Sequence, residues 1–87
     1  MVNQENISYQ DNKGSYHCII LKYYPHLGFT TIHYGHTIIN DVNLYKLNKP
    51  LGDNELEWER YELAFDEWKD ETKVNVNIIL SEYFNNG

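Results

Sequence analysis

Apolar and polar residues change their spacing along this chain, and each change predicts an element. Ser15 to Tyr24 is dense in β-branched and aromatic residues and reads as a strand. Pro25-His26-Leu27-Gly28 breaks it, and Phe29 to Tyr34 reads as a second strand, so 15–34 forms a hairpin. Gly35 interrupts, and His36 to Asn40 follows as a third short strand or a continuation past a bulge. Asn40 to Leu47 fits either a short helix capped by Asp41 or a strand through Val42, Leu44 and Lys46. Asn48-Lys49-Pro50-Leu51-Gly52 is a loop. Residues 1–14 are polar, with Asp11-Asn12-Lys13-Gly14 as a turn signal, which predicts a loose lead-in.

The period then lengthens. Asn54 is placed to cap a helix, with Glu57 three residues on and acids crowding the first turn, where the helix dipole favours them. At 100° per residue, Trp58, Tyr61, Ala64, Phe65 and Trp68 fall within about 120°, the width of a core-facing stripe. A helix over about 54–71 follows. The final segment fits two periods. Val74, Val76, Ile78 and Leu80 alternate with asparagines as in a strand, while Val76, Ile79, Leu80, Tyr83 and Phe84 fit one helical face. The helical pattern places all the large apolar residues except Val74 and Ile78, which tips the balance to helix. The fold class is α+β: a small antiparallel sheet packed on one long acidic amphipathic helix and a C-terminal helix or strand.

Size allows one domain and one core, because 87 residues leave little surplus surface to bury. With 41% hydrophobic and 15% aromatic residues, the chain is too apolar for intrinsic disorder. No apolar run approaches the ~20 residues of a membrane span, the longest aliphatic run being Ile19-Ile20-Leu21. The polar start Met1-Val2-Asn3-Gln4-Glu5 does not resemble a secretory signal, and the single Cys18 suits a reducing compartment, so the expected location is cytoplasmic. Eleven asparagines beside abundant Ile, Lys and Tyr favour AT-rich codons and a low-GC bacterial or phage origin.

Charge changes the picture through its location. Nine acids against two bases give Asp53–Glu71 a net charge of −7, so the whole excess of −6 resides there. Nucleic-acid affinity comes mainly from neutralising phosphates, and this chain has no basic stripe, so direct DNA or RNA binding is not expected.

Candidate chemistry is sparse. His17-Cys18 and His33-Tyr34-Gly35-His36 raise the question of a metal. A hairpin symmetric about His26 pairs Ile19 with His33, His17 with Gly35 and Tyr16 with His36. It places His17 and His33 on one sheet face and Cys18 and His36 on the other, so the ligands do not converge and no metal or other cofactor is expected. Cys18, mid-strand among Ile19, Ile20 and Leu21, reads as an inert packing thiol pointing away from His17. No nucleophile elbow, P-loop or dinucleotide fingerprint occurs, and carboxylates on a solvated helix keep ordinary acidity. No catalytic residue is assigned.

Two surfaces stand out instead. Tyr16, Tyr23, Tyr24 and Tyr34 alternate across the hairpin, which allows a packed inner face and an outer face suited to docking. On the helix, Leu56 and Leu63 lie one heptad apart, turned roughly 150° from Trp58, beside Glu55, Glu59, Glu62, Asp66 and Asp70. The expected function is a non-enzymatic protein–protein interaction module. In its concrete form it is a small inhibitor, phage-encoded on the codon bias, which uses those seven residues to bind a basic, nucleic-acid-binding surface of a partner protein. The alternative is an accessory or structural subunit whose tyrosine-rich sheet makes an obligate contact. Oligomeric state is left open by the sequence.

Overall fold

The computed structural model describes residues 3–86. Four strands, β1 (Gln4–Gln10), β2 (Tyr16–Tyr24), β3 (Phe29–Tyr34) and β4 (Thr37–Asn43), form an antiparallel meander in the order β1-β2-β3-β4. One helix, α1 (Glu55–Asn85), follows and lies across one face of the sheet. The fold is α+β.

Strand β1 replaces the loose lead-in over residues 4–10. Its alternation is faint because only Ile7 and Tyr9 are apolar on the inward side, yet all seven residues pair with β2. Glu5 fixes its start, accepting from the Tyr23 hydroxyl at 2.9 Å and from Lys73 on the helix at 3.0 Å. The turn that follows was legible: Asp11 Oδ1 accepts from the amides of Lys13 and Ser15, and Gly14 takes φ 86°.

The β2–β3 hairpin forms with a register one residue away from the expected one. Ile20, not Ile19, faces His33, because the Pro25–Gly28 turn closes with the Leu27 and Gly28 amides both donating to the Tyr24 carbonyl. His17 and His33 therefore lie on opposite faces. Gly28 is required there: its φ is 80°, and a Cβ would stand 2.8 Å from the Leu44 carbonyl oxygen. A bulge interrupts the β3–β4 ladder between Ile32 and His33, pairing them with Asn40 and Ile38 and leaving Ile39 extra. Asn40 to Leu47 is neither a helix nor a full strand. It continues β4 to Asn43 and then becomes a coil, tied back by Leu44 to Gly28 and by Leu47 to Pro25.

The inner face carries Ile19, Leu21, Tyr23, Ile32 and Val42, all buried against Phe65, Trp68, Val76 and Leu80 of the helix. Helix α1 runs unbroken for 31 residues, about 46 Å, because no Gly or Pro occurs between Asp53 and Asn86. The 74–84 segment is its continuation. Asn54 is the cap, its side chain accepting from Leu56 and Glu57 amides at 3.0 and 3.3 Å. The buried positions Tyr61, Phe65, Trp68, Thr72, Val76 and Leu80 advance by slightly more than 3.6 residues per turn, so the core stripe winds slowly around the helix. The two tryptophans differ. Trp68 is fully buried and donates to the Tyr45 carbonyl, while Trp58 is half-buried beyond the sheet and donates to Gly52.

Candidate protein-binding face

The first half of α1 is covered on its inner side by the 44–52 coil and by His26 at Trp58 and Tyr61, and by the sheet at Phe65 and Trp68. Its outer side faces solvent. All seven residues expected to meet a partner, Glu55, Leu56, Glu59, Glu62, Leu63, Asp66 and Asp70, are exposed there. Leu56 and Leu63 are 54% and 65% exposed, so the C-terminal segment does not bury them.

The line of exposed apolar residues extends further than the two leucines. Val74 and Ile78 are 63% and 54% exposed, and at 100° per residue all four fall within a sector of about 60°, spread over about 33 Å of helix. The signal was in the sequence: these were the two apolar residues that the 76–84 core pattern left out. The acids border this line on one side. Among the described residues only Asp66 of the five is ion-paired, with Lys69 at 3.5 Å. On the other side Glu71 accepts from the Tyr45 hydroxyl at 2.7 Å, a bond that raises the tyrosine's pKa.

The histidines lie elsewhere. His17 sits between Asp11 Oδ2 at 2.8 Å and the Tyr34 hydroxyl at 3.1 Å, and its ring lies over Phe84. His26 meets the Tyr61 hydroxyl at 2.7 Å, His33 meets Thr31 Oγ1 at 2.7 Å on the outer sheet face, and His36 is exposed in a turn. Among the described residues no three His, Cys, Asp or Glu side chains gather into a group able to hold a metal. Cys18 is exposed on the outer face rather than packed, since strand parity sends it opposite to buried Ile19 and Leu21. The hairpin tyrosines divide by the same parity: Tyr23 and Tyr34 point to the helix, Tyr16 and Tyr24 to solvent.

No helix among the described residues is long and apolar enough to cross a membrane. Compared with known proteins, the chain matches no family model, no curated protein and no solved structure.

Proposed function

We propose that this chain is a non-enzymatic interaction module whose acidic helix face binds a basic surface on a partner protein. The observation that carries this reading is the exposed line Leu56–Leu63–Val74–Ile78 with carboxylates along one flank, of which only Asp66 is ion-paired among the described residues. Apolar anchors supply affinity, while a fixed field of one sign steers an oppositely charged surface toward them. The basic surfaces that best suit such a field are those that otherwise neutralise phosphate. Eight acids against Arg60 and Lys69 leave Glu55 to Glu71 a net charge of −6 over about 24 Å of helix axis, about one per 4 Å, of the same order as the axial charge density of one DNA strand. In that setting the chain acts as an inhibitor that occupies a nucleic-acid site in the cytoplasm. A phage origin accords with its codon bias.

Competition tests the reading. A protein captured from lysate at 50 mM salt should be released by 500 mM salt and displaced by double-stranded DNA. Glu59→Lys, Glu62→Lys and Asp66→Lys together should abolish capture without changing the circular dichroism spectrum. Capture that survives the three reversals and resists DNA would overturn it.

A further inference from the structure

Among the described residues no helix covers the outer face of the sheet, and the pattern of that face is self-complementary. Two cross-strand rows define it: Lys22↔Thr31↔Asp41 and Ile20↔His33↔Ile38 on β2, β3 and β4. Beyond them Phe29 stacks on Tyr24 with ring centroids 4.8 Å apart. Ile38 is 61% exposed, and neither Lys22 nor Asp41 has an ion-pair partner among the described residues. These strands lie about 4.8 Å apart, so β2 and β4 are equidistant from β3.

We propose that this face is a homodimer interface, formed about a two-fold axis lying in the interface and running along β3. Such an axis exchanges β2 of one copy with β4 of the other. Lys22 then meets Asp41 of the second copy, and Ile20 meets Ile38, each contact occurring twice as an isologous interface requires. Phe29, Thr31 and His33 meet their own counterparts on the axis. Burial first, and the charge of Lys22 second, hold His33 below the ordinary histidine pKa, so the two facing rings are neutral at pH 7.

Charge also selects this occupant over the helix face. The sheet face offers one cation and one anion in one row, whereas copies meeting through α1 would oppose acid to acid. Back-to-back sheets place the two helices about 30 Å apart, more than three Debye lengths at physiological salt, so their repulsion is screened. Three facing strands of about 20 Å bury on the order of 1,000 Å² in total, the range of weak reversible complexes. An interface of that size is expected to associate weakly and reversibly, as a function of concentration.

Sedimentation velocity of the full chain from about 5 to 500 µM tests the proposal. Wild type should shift from monomer to dimer across that range. Lys22→Asp and Asp41→Lys should each weaken association about tenfold or more, because each sets like charges opposite one another. The two variants mixed in equal amounts should form a heterodimer, since the aspartate introduced at 22 then faces the lysine introduced at 41, and Asp41 faces Lys22. The double variant should dimerise alone for the same reason. Circular dichroism identical to wild type shows that both variants fold. A chain that stays monomeric throughout, or a dimer indifferent to both substitutions, would overturn the assignment. The second result would move the interface to the apolar line on α1.

Discussion

His17 lies flat on Phe84, with ring centroids 3.9 Å apart and planes 15° from parallel. The pair joins the start of β2 to the end of α1, across most of the chain. Tyr9 stacks on Phe84 and Tyr34 meets it edge-on, while Asn85 bonds to the Tyr9 hydroxyl and the Asn12 amide. The last helical turn, which carries no cation to stabilise its carbonyl end, is thus held by aromatic contact. Phe84→Ala should cost about 2 kcal/mol, below the cost for a fully buried Phe because Phe84 is only half-buried. Hydrogen exchange should quicken at both Asn12–Ser15 and the final turn. Exchange that quickens at the helix end alone would show that the contact does not hold the β1–β2 turn.

The same region sets an acid limb. The hydrogen bond from His17 holds the Asp11 carboxyl below its ordinary value against a smaller desolvation penalty, and the Ser15 and Lys13 amides add to it. Desolvation pushes Glu5 upward, but hydrogen bonds from Lys73 and Tyr23 and the Lys73 charge together bring it below its ordinary value. Carboxyls depressed in the folded state contribute stability above their unfolded pKa values. That stability is lost as pH falls through the lower folded values, a window opening below about pH 4.5. Asp11→Asn with Glu5→Gln should therefore lower stability at pH 7 and lose less than wild type between pH 7 and pH 3. Comparing the two proteins cancels the relief of repulsion on the acidic helix. Equal losses in urea melts would contradict the assignment.

The two tryptophans should separate. Trp68 is fully buried among Tyr23 and Phe65, and Trp68→Ala should cost about 3–5 kcal/mol, most of the stability of a domain this small. Trp58 is half-buried against the 44–52 coil, and Trp58→Ala should cost about 1–2 kcal/mol. Denaturant melts giving equal losses would mean that the helix start is packed as tightly as its middle.

What the sequence revealed follows from where its signals were local. The Trp58–Trp68 stripe and the Asn54 cap needed only residues within a few turns, and both were legible. The hairpin was legible too, but its register was not. Symmetry about His26 and the actual pairing differ by one residue, and only the turn's hydrogen bonds separate them. That single step moved His33 to the opposite face from His17 and concealed the row Ile20↔His33↔Ile38. Strand β1 was hidden because it is an edge strand with two inward apolar residues, held by a backbone ladder and by Glu5, whose partners are 18 and 68 residues away. The helix face was readable as an amphipathic remainder, while its extension to Val74 and Ile78 awaited proof that 74–84 continues the same helix.

Kinetics on a captured partner distinguish the two parts of the proposed helix face. Rim charges act on encounter, so Glu59→Lys, Glu62→Lys and Asp66→Lys should slow association and flatten its dependence on salt. For wild type, raising salt from 50 to 500 mM shortens the Debye length from about 14 Å to about 4 Å, and association should slow accordingly. Anchors act on residence, so Leu56→Ser and Leu63→Ser should speed dissociation, each by about tenfold or more, with little change in the on-rate. Ile78→Ser measures how far the footprint runs. It should speed dissociation if the partner covers the full line of about 33 Å, and leave both rates unchanged if contact ends near Asp70. All of these positions are exposed, so each variant should retain the wild-type melting curve, and lost binding can then be read as lost contact. Should the charge-reversed protein associate at the wild-type rate at every salt concentration, the acidic helix is a solvated surface, and the binding face lies elsewhere on the molecule.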